Sequence, residues 1–187
     1  MAAAIEKMGR VSWRPRQGDA FGALARSIHY QQLAGKAAAA IHARFVGLFP
    51  DSVTPEAVLA LPEATLRGVG LSASKAASIR DLAAKVADGT VPLGSINRLS
   101  DEDIIARLSV VRGIGRWTAE MFLIFQLRRP DVWPADDYGV RKGFARIYGL
   151  PDLPAPKALI EEGERFRPYR TAAALYSWKA VAVLLPG

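Results

Sequence analysis

The 187-residue chain contains no cysteine and only two histidines, His29 and His42. The absence of cysteine excludes disulfides, thiolate nucleophiles, cysteine zinc sites and cysteine-ligated iron–sulfur clusters. Two histidines leave few ligands for a transition metal, and we expect both to be structural or surface residues. The composition therefore argues against a thiol enzyme and against a metalloenzyme.

The sequence also lacks a long uninterrupted apolar segment. No continuous hydrophobic region marks the N-terminus as a signal peptide, and the apolar stretch 171–185 is too short for a membrane span and contains Lys179. This stretch is typical of a buried helix. We expect an intracellular protein with no membrane partner, cytoplasmic and nucleoid-associated in a bacterium or nuclear in a eukaryote.

Hydrophobic residues and positive charge are abundant instead. Half of the residues are hydrophobic, which allows one domain or two small lobes around a real core. Lysine and arginine number 25 against 18 acidic residues, giving a net charge of +7 and a sequence pI near 10.0. An excess of positive charge favours a polyanionic partner such as DNA or RNA, although a basic protein that is merely soluble could show the same excess.

The hydrophobic periodicity is helical nearly throughout, and no alternating strand pattern lasts more than a few residues. We therefore predict an all-α protein of about nine or ten helices. Capping residues and prolines mark the expected helix starts. These starts are Asp19, Thr54-Pro55, Ser72 or Ser74, Ser100, Asp136 and Pro156, with a last helix after Pro168.

A Gly-x-Gly turn at Gly113–Gly115 separates two of these helices, and the second runs from about Arg116 to Leu127. Two glycines permit positive φ and let a phosphate approach without a Cβ in the way. The next helix adds its N-terminal N–H groups and its dipole, and Arg112 and Arg116 add charge. An ordinary tight turn would have the same residues. Residues 67–70, Arg-Gly-Val-Gly, echo the motif, and we favour the second turn as the DNA contact.

Residues 110–119, Val-Val-Arg-Gly-Ile-Gly-Arg-Trp-Thr-Ala, resemble the hairpin of the helix-hairpin-helix DNA glycosylase superfamily. Residues 133–141, Trp-Pro-Ala-Asp-Asp-Tyr-Gly-Val-Arg, resemble its following loop and aspartate. Further segments, within 21–45, 70–76 and 167–178, are similar to 3-methyladenine DNA glycosylase II and its yeast relatives. The resemblance covers about residues 20–185.

The resemblance implies a single domain of two helical lobes with a DNA-binding cleft between them. One lobe covers about 28–130, and the N-terminal segment plus 131–187 form the other.

The resemblance also implies an activity. Bifunctional members of the superfamily carry a Schiff-base lysine where this chain has Trp117. We therefore expect a monofunctional enzyme that flips alkylated purines, 3-methyladenine and 7-methylguanine, out of duplex DNA and hydrolyses their N-glycosidic bonds without strand cleavage. It is expected to act as a monomer without a cofactor in base excision repair. The alternative is a non-catalytic helix-hairpin-helix module that binds damaged or bent DNA.

Asp137 takes the place of the catalytic aspartate in the motif register, and the neighbouring Asp136 then takes the place of the helix cap, although either could be the cap.

The expected base pocket consists of Trp117, Met121, Tyr138 and Trp178, any of which could instead be core. Gln32 and Leu33 match the family's loop that fills the gap left by the flipped base, unless Leu33 lies in the core. The expected DNA contacts are Gln32, Leu33, Lys36, Arg112, Gly113, Ile114, Gly115, Arg116 and Thr118. The family hairpin can also hold a monovalent cation through backbone carbonyls.

Overall fold

Every regular element of the computed structural model, which describes residues 1–14 and 18–183, is helical. The expected all-α class is confirmed. Over these ranges the α-helices are α1 Ala2–Met8, α2 Ala20–Tyr30, α3 Gly35–Val46, α4 Pro55–Ala60, α5 Glu63–Gly68, α6 Ala73–Ala87, α7 Asp101–Ser109, α8 Arg116–Phe125, α9 Tyr138–Tyr148, α10 Pro156–Gly163 and α11 Arg170–Val183. Short 3₁₀ turns occur at Ile96–Arg98 and Glu164–Phe166.

Four predicted helix starts are confirmed by side-chain caps. In each, an oxygen of the residue before the helix accepts a hydrogen bond from the N–H group three residues later, which satisfies a donor that lacks an intrahelical partner. The pairs are Asp19 with Gly22, Thr54 with Ala57, Ser72 with Lys75 and Ser100 with Asp103. Ser72, rather than Ser74, is therefore the start of α6.

The chain divides into two compact units, one covering Arg16–Phe122 and the other joining Met1–Pro15 to Leu123–Gly187. Residues 15–17 and 184–187, including the end of the predicted last helix, lie outside the described residues. The central lobe was expected at about 28–130. The structure places all of α2 in the first unit because α2 packs against α3 and α6.

The first unit has a core of apolar side chains around α6, against which α2, α4 and α5 pack. Removing this apolar surface from water is the main stabilising contribution to such a helical assembly. The largest fully buried side chains are Leu24, Ile28, Phe45, Leu66, Ile79, Leu82, Ile96, Ile104 and Leu108. This core is the rigid support for the α2–α3 loop and for the turn between α7 and α8.

The second unit is built on the crossing of α9 and α11. A Cβ on Gly143 would overlap the backbone carbonyl of Ser177, so the two helices approach more closely than a side chain would allow. Trp133 and Phe144 fill one side of the crossing. On the other side Met8 of α1 packs against Tyr176.

The apolar stretch after Pro168 forms α11, which is largely buried up to Ala180. This confirms the predicted buried helix for the part of 171–185 that is described. Among the described helices, none combines the length and the hydropathy needed to cross a membrane.

Candidate functional site

The turn between α7 and α8 uses its two glycines differently. Gly113 has a φ of +78°, and a Cβ on it would lie 2.8 Å from Ser78 Oγ. Gly115 does not have a positive φ, and a Cβ on it would meet nothing within 4 Å. The expectation that positive φ concerns both glycines is therefore right for Gly113 only. Gly113 is required by the fold, whereas Gly115 leaves open space before the first turn of α8.

Side chains of helix α6 fix this turn through hydrogen bonds. Asp81 Oδ2 accepts a hydrogen bond from the Arg112 N–H at 2.7 Å and from Lys85 Nζ at 2.6 Å, and Lys85 Nζ also donates to the Val110 carbonyl at 2.9 Å. Partial burial would raise the pKa of Asp81, but these hydrogen bonds and the nearby positive charges hold it below its ordinary value. The ionised Asp81 therefore fixes the backbone of the turn.

The N-terminus of α8 is the part of the turn suited to a phosphate, because first-turn N–H groups and the helix dipole favour an anion. Ile114 and Thr118 are only 3% and 5% exposed. Their side chains anchor the turn. The Ile114 N–H already donates to the Val111 carbonyl, so Ile114 offers DNA neither its side chain nor its N–H group. Sequence reasoning did not separate these anchors from the exposed positions.

The two predicted arginines differ in their surroundings. Arg112 is exposed. Arg116 is also exposed, but it forms ion pairs with Glu102 at 2.7 Å and with Glu120 at 3.2 Å. The two carboxylates offset the positive charge that Arg116 brings to the turn.

The loop between α2 and α3 exposes the residues predicted to fill the gap in the DNA. Gln32 has a φ of +54°, and Leu33 keeps 40% of its surface exposed. Leu33 is therefore not part of the core, the alternative left open by the sequence. Lys36 is exposed in the first turn of α3.

A cavity of about 450 Å³ in the first unit is lined by Trp117 and Met121. Trp117 is 48% exposed, whereas Met121 is 7% exposed. Arg26 and Tyr30 of α2 line the same cavity, and Arg26 Cζ lies 4.1 Å from the centre of the Tyr30 ring. The sequence analysis missed both residues, although their i, i+4 spacing just before the α2–α3 loop was a usable signal. A larger cavity of about 670 Å³ contains none of the predicted site residues.

Asp137 is the N-cap of α9. Its Oδ1 accepts a hydrogen bond from the Val140 N–H at 2.8 Å and another from Trp178 Nε1 at 2.7 Å. Two donors on one oxygen hold the carboxylate at the positive end of the helix dipole, which stabilises its negative charge. Asp137 is partly buried, so the residue keeps part of its surface exposed.

Asp136 was expected to cap this helix, and that prediction was wrong. Asp136 is exposed, and the cap is Asp137. Both aspartates precede the helical pattern, and the sequence cannot show which one has the extended backbone of an N-cap. One side chain therefore has both the capping position and the motif position of the catalytic aspartate.

The other two aromatic residues predicted for the pocket lie near Asp137. Tyr138 is 62% exposed and has Lys142 Nζ 5.6 Å from its ring centre. Trp178 is partly buried on α11 and stacks against Phe125 at 5.8 Å between ring centres. Trp178 is thus both a packed residue and a donor to Asp137.

Both histidines are internal to the first unit. His29 has no exposed surface, and its Nδ1 lies 2.9 Å from His42 Nδ1, one imidazole being the donor and the other the acceptor. Burial, followed by the nearby His42 and Lys75 charges, lowers the pKa of His29 to about 3. A pair in which His29 is fully buried and His42 partly buried agrees with the structural role expected for the histidines. The described residues contain no cluster of three or more His, Asp or Glu side chains able to hold a metal ion.

Three carbonyls of the hairpin turn already accept hydrogen bonds. They belong to Val110, Val111 and Gly113, and the donors are Lys85 Nζ, the Ile114 N–H and Gln31 Nε2. Each of these carbonyl oxygens keeps a second lone pair, so the monovalent cation expected there stays a prediction.

A family model described as HhH-GPD superfamily base excision DNA repair protein matches residues 25–168. The chain belongs to this superfamily. The matched range contains the α7–α8 turn, the α2–α3 loop and Asp137, and the resemblance expected from the sequence is confirmed.

The relatives of this HhH-GPD protein include proteins named DNA-3-methyladenine glycosylases. It is 42% identical over 162 residues to DNA-3-methyladenine glycosylase 1 of Schizosaccharomyces pombe, covering 83% of this chain and 70% of that protein. It is 31% identical over 168 residues to the putative DNA-3-methyladenine glycosylase YfjP of Bacillus subtilis, covering 86% of this chain but only 58% of that protein.

The solved structures that share the fold include two 3-methyladenine glycosylases. A 3-methyladenine DNA glycosylase of S. pombe in complex with abasic DNA matches with a TM-score of 0.81 and 37% identity, over 95% of this chain and 89% of that one. A DNA-3-methyladenine glycosidase from Bacillus halodurans matches with a TM-score of 0.91 and 35% identity, over 98% and 84% of the two chains.

The predicted site residues of this HhH-GPD protein fall into two groups. The first unit contains the hairpin turn, the α2–α3 loop with Lys36, and the cavity with Trp117 and Met121. The second unit contains Asp137, Tyr138 and Trp178. Within each unit, residues distant in sequence are brought together, such as Gln31 with Gly113 and Asp137 with Trp178.

Proposed function

We propose that this chain is a monofunctional DNA glycosylase that hydrolyses the N-glycosidic bond of alkylated purines in duplex DNA and leaves an abasic site. The observation that carries the proposal is the Asp137 carboxylate, held at the start of α9 by two N–H donors on Oδ1. Family membership and relatives named DNA-3-methyladenine glycosylases support base excision repair of alkylated DNA. The expected substrates are 3-methyladenine and 7-methylguanine.

The chemistry requires a fixed negative charge beside the sugar. Cleavage of the N-glycosidic bond develops positive charge on the deoxyribose, and a carboxylate that is already oriented stabilises this charge without reorganising. The Val140 N–H and Trp178 Nε1 supply that orientation in Asp137. The same carboxylate can orient or deprotonate the attacking water, which adds its proton to the departing base or to solvent.

The base itself contributes to the reaction. A base must leave the stack to be reached, and an alkylated purine is often cationic, so aromatic faces favour it. Trp117 is nearly half exposed beside a cavity that it shares with Tyr30. A cationic base is also a good leaving group, so this site needs no strong general acid.

Two features support the absence of strand cleavage. Trp117 occupies the place of the Schiff-base lysine, and the two lysines of α6 close to the turn, Lys75 and Lys85, both donate from Nζ to backbone carbonyls. We expect borohydride to trap no covalent adduct with DNA that contains an abasic site. A trapped adduct would show that another amine acts as the nucleophile and would overturn the monofunctional assignment.

The proposal is tested with Asp137→Asn and the matched control Asp136→Asn. Asparagine keeps an oxygen that can accept the two hydrogen bonds made by Asp137, so the helix cap is retained while the charge is lost. We expect base release from methylated duplex DNA to fall at least about 100-fold in Asp137→Asn and to stay near wild type in Asp136→Asn. Affinity for duplex DNA with a stable abasic-site analogue should change little in either variant.

Near-normal release by Asp137→Asn would reject the catalytic assignment. No release above background by the wild-type protein, together with tight DNA binding, would instead favour the non-catalytic DNA-binding module.

A further inference from the structure

The C-terminus of α2 is held by a lysine from another helix. Lys75 Nζ on α6 donates to the His29 carbonyl and to the Gln31 carbonyl, both at 2.8 Å. The last carbonyls of an α-helix lack intrahelical donors and carry the negative end of the dipole, so an ammonium group is well suited to this position. Lys75 therefore fixes the point at which the chain leaves α2 and enters the exposed loop.

Gln31 is held a second time, through its side chain. Its Nε2 donates at 2.8 Å to the carbonyl of Gly113, in the turn between α7 and α8. A single residue thus joins α2, α6 and that turn, since its carbonyl accepts from Lys75 and its amide donates to Gly113. These three residues belong to the same compact unit.

The next two residues of the loop are the exposed ones. Gln32 has a φ of +54°, and Leu33 is 40% exposed, so neither is held by burial in the core. Gln31, Gln32, Leu33 and Lys75 line one small cavity of about 230 Å³. Lys75 is partly buried, and this burial lowers its pKa. The hydrogen bonds of Lys75 and Gln31 therefore fix the start of the exposed loop.

We propose that Lys75 and Gln31 are positioning residues for base flipping. They hold Gln32 and Leu33 at a fixed distance from the hairpin turn, so that binding of the DNA backbone at the turn and insertion of the loop into the base stack occur together. The inference rests on the proposed DNA-binding mode, and it extends that mode to two residues that do not need to touch DNA.

The physical reason is preorganisation. Insertion of side chains into a base stack must overcome the unstacking cost. A loop that is mobile before binding would also lose conformational entropy on insertion, which weakens binding or slows insertion. Lys75 and Gln31 remove this loss because they order the loop in the free protein.

The test uses Lys75→Met, which keeps the length of the side chain and removes the donors, and Lys75→Arg, which restores N–H donors. Lys157→Met is the charge-matched control, because Lys157 is exposed on α10 and has no role in the proposal. The probe is a duplex that contains a tetrahydrofuran abasic-site analogue with 2-aminopurine opposite to it. Fluorescence at saturation reports unstacking, anisotropy reports affinity, and thermal unfolding reports the state of the fold.

We expect wild type and Lys157→Met to raise the fluorescence equally. Lys75→Met should bind the duplex with a dissociation constant within about 10-fold of wild type but give a rise several-fold smaller or slower, since backbone contacts dominate affinity. Lys75→Arg should recover most of the signal. An unchanged rise in Lys75→Met, or no recovery in Lys75→Arg, overturns the proposal.

Gln31→Met covers the case in which Lys75→Met does not fold, because it leaves both bonds of Lys75 to the backbone in place. The same loss of fluorescence is expected, and a wild-type signal overturns the proposed coupling to the turn. The probe contains no base for the enzyme to release, so failure of the glycosylase assignment would appear in the release assay and would leave this readout intact.

Discussion

The hydrogen-bonded imidazoles of His29 and His42 make the folding stability of the protein depend on pH. Burial lowers the pKa of both, and it lowers that of His29 to about 3. A histidine in the unfolded chain has an ordinary pKa near 6.5, so the unfolded state binds more protons than the folded state between these two values. Folding stability must therefore decrease as the pH falls below 6.5.

We predict that the free energy of unfolding falls by about 1–2 kcal/mol between pH 6.5 and pH 5 through His29 alone. His29→Leu should flatten this dependence, because it removes the buried group that has to stay neutral. Denaturant unfolding at several pH values measures the slope. A wild-type slope retained in His29→Leu would assign the acid sensitivity to other groups.

At this scale the sequence identifies residues with a motif and misses residues that act through contacts. Asp137 follows from its register in the family motif, and Gln32 and Leu33 follow from the resemblance of their segment to the family's loop. Lys75 lies in the segment 70–76 that resembles the family, but the sequence does not show its contacts, because its two carbonyl acceptors lie 46 and 44 positions earlier in the chain. The capping role of Asp137 was missed for a different reason, since two adjacent aspartates both satisfy the composition rule for an N-cap.

Helices were predictable where their start signals are local. A side-chain cap needs only a residue and the N–H three positions on, so Asp19, Thr54 and Ser100 were sufficient. The two helices that were not predicted, α1 and α5, have no side-chain hydrogen bond at the N-cap, and each buries a single residue. Short helices of this kind depend on tertiary contacts rather than on sequence signals.

The turn before α8 gives an element-scale prediction. Gly113→Ala should lower the free energy of unfolding by about 1–3 kcal/mol, because alanine is strained at positive φ and its Cβ would contact Ser78 Oγ. Gly115→Ala should cost less than about 1 kcal/mol but should weaken DNA binding, because the new Cβ would lie where a phosphate approaches.

Thermal unfolding and fluorescence anisotropy with a short duplex separate these two effects. Equal stability of the two variants would contradict the conformational argument for Gly113. Wild-type DNA affinity in Gly115→Ala would show that the phosphate does not approach at this turn.

For the whole molecule, hydrophobic periodicity predicted the all-α class and composition predicted a polyanionic partner, but neither predicted the division into two units. The boundary of the first unit depends on the packing of α2 against α6, a contact between segments far apart in the chain. Hydrophobic periodicity shows that α2 has a buried face and does not show which helix covers it. The grouping of both units into one glycosylase domain, with the expected limits, stays a prediction.

The net charge of +7 gives a whole-molecule prediction. DNA affinity should fall linearly with salt on logarithmic axes, because each neutralised phosphate releases counterions. Arg112→Gln should reduce the magnitude of this slope by about 1. Glu102→Gln should raise affinity at low salt, since it removes one of the two carboxylates that offset Arg116.

Anisotropy titrations from low to physiological salt measure both changes, with Lys157→Gln as the control. A slope unaffected by Arg112→Gln would place the DNA backbone away from the turn. Unchanged or weaker affinity in Glu102→Gln would show that Arg116 does not face the DNA.

The contact between Gly143 and the Ser177 backbone has a geometric consequence for catalysis. Gly143 lies on α9, which Asp137 caps, and Ser177 directly precedes Trp178 on α11. The close approach of the two helices at Gly143 therefore sets the separation between the Asp137 carboxylate and its indole donor. Any larger side chain at 143 would push the two helices apart and lengthen the 2.7 Å bond from Trp178 Nε1. The alignment of the Asp137 carboxylate is thereby set by a residue that has no functional group in its side chain.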